Sequence, residues 1–148
     1  MSKVSKQSLG LAGEYAVASE LCRRGCYAQL TLGHHKSADI LIETEKRMVR
    51  VQVKAKQGTQ WPGVHGISRS TDFLVLVDYQ SKEVGEIPDF YVLGMRQWKR
   101  ILQMERIRKP GVVITRTYRV VYPDGWKGVN LRVKDVMRAK EAWNRITG

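Results

Sequence analysis

The chain has 148 residues, the size of one compact domain, and carries 26 basic against 14 acidic side chains for a formal charge of +12. That surplus points to a polyanionic partner, nucleic acid first and an anionic membrane second. With 43% hydrophobic residues the chain is not disordered, and it has no run of about 18 apolar residues that would span a membrane. Its two cysteines, Cys22 and Cys26, cannot staple a secreted scaffold, and without a second pair they make a poor zinc site. The N-terminal segment lacks an apolar signal core, so the expectation is a cytoplasmic protein forming a single domain over residues 1–148.

In chain order, the pattern predicts a first helix over residues 9–24, capped by Ser8 and closed by Gly25. Leu11, Tyr15, Ala18 and Cys22 form its apolar stripe, with Glu14 half-inside at the edge. Three short strands follow at 27–31, 39–44 and 47–56. The last alternates cleanly, with Val49, Val51, Val53 and Ala55 on one face and Met48, Arg50, Gln52, Lys54 and Lys56 on the other. Residues 57–70, broken by glycines and Pro62, are the longest irregular stretch. Residues 72–79 read as a central buried strand and 90–93 as another. Residues 95–107 form an amphipathic helix, with Met95, Trp98, Ile101 and Leu102 inward and Arg96, Lys99, Arg100 and Arg106 outward. Residues 112–122 are strand-like, and 134–146 form a last helix burying Val136, Ala139, Trp143 and Ile146. This order predicts an α/β (α+β) fold, a mixed central β-sheet flanked by helices.

The second and third strands carry the chemistry. If Glu45 and Lys46 are the two-residue turn of a hairpin, Asp39 falls opposite Gln52, and directly opposed side chains share a face. Lys54, two residues beyond Gln52, shares it too. A carboxylate, an amide and an ammonium then meet at one end of the hairpin. The turn lacks Gly or Asn, which leaves a longer loop open, and a one-residue slip would flip the faces. The plainer alternative makes Asp39 a strand-start cap and Lys54 a solvated edge residue.

The set Glu14, Asp39, Gln52 and Lys54 resembles the PD-(D/E)XK nuclease superfamily: a helix glutamate, an aspartate opening a strand, and VQVK on the next strand. Ala38 stands where the motif has proline, and Gln52 replaces the usual acid. That variant is similar to Mrr-like restriction nucleases and to the small intron-encoded homing endonucleases. The spacings of 25, 13 and 2 residues look closest to the homing type. The core also resembles archaeal Holliday junction resolvases. The resemblance implies a restriction-endonuclease-like core and a magnesium-dependent DNA endonuclease, with manganese as a substitute ion. Asp39 would be the central ligand, with the Gln52 amide, the Val53 backbone carbonyl and Glu14 completing the shell. Lys54 would orient the attacking water and stabilise phosphorane charge, since a free lysine titrates near 10.4 and is a poor base. A homing-type cutter of both strands of double-stranded DNA needs two sites, hence a homodimer or homotetramer. Junction resolution, restriction, or a catalytically silent DNA-binding module on the same fold are the alternatives.

Basic residues supply a second constellation. Lys36, Arg50 and Lys56 would flank the site, while Arg96, Lys99 and Arg100 stripe the outer face of a helix. Residues 95–119 hold eight basic residues against Glu105 alone. Arg116 and Arg119 alternate with polar residues on a strand that would read bases, hold phosphates or merely solvate an edge. Trp61 and Arg69 lie in the long loop, where Trp61 either contacts DNA or caps the core. His34, His35 and His65 are loop residues able to contact phosphate or assist catalysis, with an ordinary loop role the plainer reading.

Overall fold

A computed structural model of the protein describes residues 3–31 and 38–148. Helix α1 (Lys6–Arg23) precedes strands β1 (Tyr27–Leu30), β2 (Ile40–Glu43), β3 (Met48–Lys56), β4 (Trp61–Val64), β5 (Phe73–Asp78) and β6 (Asp89–Leu93). After them come α2 (Met95–Arg108), β7 (Val113–Ile114), β8 (Val120–Val121), β9 (Val129–Leu131), α3 (Val133–Val136), a 3-10 turn (Met137–Ala139) and α4 (Asn144–Thr147). Five strands form one sheet in the order β1-β2-β3-β5-β6, with β3 and β5 parallel and the other neighbours antiparallel. The fold is therefore mixed α+β, a mixed sheet flanked by helices. Among the described residues no helix is long and apolar enough to cross a membrane.

The β2–β3 hairpin has the register expected from a two-residue turn, running from Ile40 opposite Val51 to Glu43 opposite Met48. The turn closes without Gly or Asn because Thr44 supplies the missing bonds. Its hydroxyl donates to the Arg47 carbonyl at 2.7 Å and accepts the Lys46 and Arg47 N–H groups.

The sheet separates two cores. On one side Val17 and Leu21 of α1 and Trp143 pack on Val51, Val75, Val77 and Phe90. On the other, Trp61, Trp98 and Leu102 pack on Leu74, Leu76, Tyr91 and Leu93. The inward face of α1 is Leu9, Gly13, Val17 and Leu21, not the stripe that hydropathy picks out. Leu11 and Tyr15 are exposed, Tyr15 at 59%. The cause is Gly13, where an added Cβ would lie 2.9 Å from that of Ala55 on β3. The closest helix–sheet contact thus falls on a residue with no side chain to register as apolar. The cap is Ser5, whose side chain accepts the Ser8 N–H, and Gly25 closes the helix at φ 90° as expected.

Three other expectations are corrected. Residues 112–122 form a tight hairpin, β7 on β8, rather than one strand, with Tyr118 at φ 60° in its loop. The last helix is broken into α3, the 3-10 turn and α4, with Glu141 at φ 54° between them. Val136, Ala139 and Trp143 are buried nonetheless. The long loop contains β4, which pairs with the distant β9.

Candidate functional site

Strand β3 is the axis of the site. Its side chains alternate, so Val51 and Ala55 go under α1 while Arg50, Gln52 and Lys54 face the other side of the sheet. The β2–β3 ladder stops at Ile40 opposite Val51. One residue earlier, the Asp39 N–H donates to the Val51 carbonyl at 3.1 Å. The next bond to β3 is made by a side chain: Asp39 Oδ2 accepts the Val53 N–H at 2.8 Å. A half-buried carboxylate is thereby fixed at the open end of the hairpin, level with Gln52.

The Val53 carbonyl lies on the same side. Along β3 the Val51 carbonyl accepts from Asp39 and the Lys56 carbonyl accepts from Tyr79 beyond β5. Backbone groups alternate sides with period two, which places Val53 with Val51. Glu14 comes from α1, the layer covering β3 from the other face. It is half-buried, next to the Gly13 contact with Ala55 and Val53. Among the described residues no group of three or more His, Cys, Asp and Glu is gathered for a metal. Around β3 the oxygens on offer are the Asp39 carboxylate, the Gln52 amide and the Val53 carbonyl, with the Glu14 carboxylate on α1 in the layer over the opposite face. An all-oxygen set suits magnesium or manganese rather than a softer ion.

Gln52 and Lys54 open into a cleft of about 700 Å³, walled by Arg50, Asp72, His65 and Arg119. Arg50 pairs with Asp72, Nε to Oδ1 at 3.3 Å and Nη2 to Oδ2 at 3.4 Å. Arg119 Nη1 donates to the His65 carbonyl at 2.7 Å and the Gly66 carbonyl at 3.1 Å. His65 is held below its ordinary pKa, first by burial and then by the positive charges of Arg119, Lys54 and Lys127.

Several residues expected at a DNA surface are elsewhere. Lys56 is 2% exposed, its ammonium donating to Asp78 at 2.7 Å, the Gly58 carbonyl at 2.9 Å and Gln80 at 3.1 Å. Trp61 is fully buried, donates Nε1–H to the Val77 carbonyl at 3.0 Å and stacks under the Lys56 ammonium. Both belong to the core: a long loop pattern concealed the inward turn that β4 makes to reach β9. Arg119 is not on an alternating strand but at the base of a hairpin, its guanidinium tied to carbonyls. Arg50 is half-buried in its ion pair. Arg69, Arg96, Lys99, Arg100 and Arg116 remain on the surface. Lys36, with His34 and His35, lies outside the described residues. His65, read from the sequence as a loop residue able to contact phosphate or assist catalysis, lines the cleft. The cleft position of Asp72 carries no sequence signal, because it depends on the pairing of β5 with β3.

No protein-family model matches the chain, and no curated protein does. A solved structure does: that of a bacterial homing endonuclease, I-Ssp6803I, at a TM-score of 0.52 and 17% identity over 97% of this chain and 92% of that one. At that identity the likeness is one of fold, and it extends over nearly the whole of both chains.

Proposed function

We propose that the protein is a metal-dependent DNA endonuclease that hydrolyses phosphodiester bonds, acting as a site-specific, homing-type cutter of both strands. The observation that carries this reading is the Asp39 carboxylate seated on the Val53 amide, level with Gln52 and beside the cleft that Lys54 enters. Asp39, Glu14, the Gln52 amide and the Val53 carbonyl would hold magnesium or manganese. Such an ion lowers the pKa of bound water and neutralises charge on the phosphate. Lys54 orients the attacking water and donates to the phosphoryl oxygens as charge builds on them. The similar fold of a homing endonuclease supports DNA as the substrate. One site cuts one strand, so a double-strand break requires a homodimer or homotetramer.

The test is cleavage of supercoiled plasmid, a synthetic four-way junction, single-stranded DNA and a random-site library, with and without magnesium. Magnesium-dependent scission of any of these supports the reading, and which one is cut separates homing from junction resolution. If micromolar protein cuts none, a silent DNA-binding module is the better description. Within the same assay, Gln52→Glu should stay folded and active, since the shapes match and a third carboxylate strengthens ion binding. Gln52→Leu should be inactive. A Leu variant as fast as the parent would remove this side chain from the metal.

Binding to duplex DNA should weaken steeply with salt. Neutralising about 6 phosphates gives a log–log slope near −5. Helix α2 stands next to the cleft, because Trp98 packs on Gly66 and donates Nε1–H to the Tyr118 carbonyl at 3.0 Å. Lys99, whose ammonium lies over the Tyr118 ring, is the exposed α2 cation on that side and would face phosphate. Arg96 and Arg100, two residues before and after Trp98, point to the opposite face of the helix. Reversing Lys99 to Glu should flatten the slope by about 1, the loss of one phosphate contact. An unchanged slope would place α2 away from the DNA.

A further inference from the structure

The segment that carries His65 is held more firmly than a surface loop needs to be. Val64 and Ile67 on either side are buried. Gly66 has φ 79° and lies flat against the indole of Trp98, where an added Cβ would be 2.0 Å from the ring. The His65 carbonyl is clamped by Arg119 at 2.7 Å. The imidazole itself is exposed and forms part of the wall of the cleft that Gln52 and Lys54 enter. A rigid backbone thus presents one exposed histidine to the place where phosphate and water would meet.

We propose that His65 is a further catalytic residue, the proton acceptor for the attacking water. This assignment rests on the hydrolytic reading above and supplies what that reading lacks, because a lysine beside phosphate serves as a charge donor and leaves the base unnamed. In the step, an oxygen lone pair of water forms the new bond to phosphorus, and the bond from phosphorus to the leaving oxygen breaks. That oxygen keeps the bonding pair and is protonated by solvent. The water proton passes to the imidazole, which returns it to bulk water.

The charged groups around His65 favour this role. Lys54 comes from β3, Arg119 from the foot of β8, Lys127 from the turn before β9, and Arg50 with its partner Asp72 from across the cleft. Burial first, and then the charges of Arg119, Lys54 and Lys127, lower the His65 pKa, which favours the neutral ring that a base must start from. The same cations would draw the phosphate in.

Two measurements test the proposal. His65→Ala, an exposed site whose truncation leaves the fold intact, should slow cleavage about 100-fold under saturating DNA, within the usual range for general-base loss. It should also remove the acidic limb of the pH–rate profile, and added imidazole should restore part of the rate. Parent-like rate and pH profile in the Ala variant, or loss without imidazole rescue, would overturn the proposal while leaving the nuclease reading standing. Independently of activity, the His65 ring can be titrated by NMR, assigned by its absence in His65→Ala. It should titrate below its ordinary value and move up when Lys54 is changed to Met, because a nearby cation is lost. An unmoved titration would show that the two do not share the cleft, and would sink the assignment whether or not the parent cuts DNA.

Discussion

Asp39→Asn should lower the rate of magnesium-dependent cleavage by a thousandfold or more, roughly 4 kcal/mol of transition-state stabilisation. The amide keeps an oxygen that can accept the Val53 N–H, now bonded to Oδ2 at 2.8 Å. It removes only the charge that an ion requires. Thermal stability should therefore stay close to the parent, and affinity for DNA in metal-free buffer should change little, since Lys and Arg contacts with phosphate dominate it. Asp39→Ala should be equally inactive but less stable by about 1 kcal/mol, the usual net worth of a hydrogen bond. The comparison separates the carboxylate as ligand from the carboxylate as hairpin clasp. An Asn variant that cuts at the parent rate would leave Asp39 only the second role.

The second large effect should come from Gly66→Ala. The residue is at φ 79°, where a side chain costs about 1–2 kcal/mol by itself. Its Cβ would also overlap Trp98 Cε2 at 2.0 Å. Trp98 cannot move aside freely, being fully buried with its N–H bonded to the Tyr118 carbonyl. Together the strain and the overpacking should destabilise the protein by about 3–5 kcal/mol, a large share of the total for a domain of this size. Urea denaturation reads this directly. Repeating the substitution in a Trp98→Leu background should reduce the cost, because the ring that obstructs the methyl is gone. Equal costs in both backgrounds would trace the strain to the backbone alone.

Local rules account for the parts of the fold that were legible in sequence. The register of β2 on β3 follows from counting outward from Glu45 and Lys46, because strand pairing is periodic and the turn is short. That alone sets Asp39 level with Gln52 and puts Lys54 on the same face. The strands of the main sheet and α2 are likewise visible, since runs such as 73–77 are apolar throughout and Trp98 and Leu102 recur at helical spacing. What failed depends on partners far along the chain. Trp61 looks like a loop tryptophan until β9, starting 68 residues later at Val129, is seen to receive its strand. Lys56 looks like a solvated cation until Asp78, across the parallel pair, is placed against its ammonium. The inward face of α1 is set by Gly13, whose value lies in absent atoms. Arg116 and Arg119 alternate convincingly on paper, but Thr115 accepts the Arg119 N–H and closes a turn between them. Sequence thus brought Asp39, Gln52 and Lys54 together, and the far wall of the cleft emerged only in three dimensions.

That wall has a consequence for the order in which the molecule is made. Gln52 and Lys54 have as strand neighbours β2 and β5, all within residues 40–78, and the β2–β3 hairpin needs nothing beyond residue 56. The segment carrying His65 is different: β4 pairs through Trp61 with Leu131 and through Val64 with Val129, and its clamp is Arg119. The strands that carry the proposed ligands can therefore pair before the cleft is complete. Pairings of such long sequence separation close slowly, after the local ones. A chain cut short before residue 131 would keep the proposed ligands without the far wall of the cleft, and is expected to lack the cleavage proposed above.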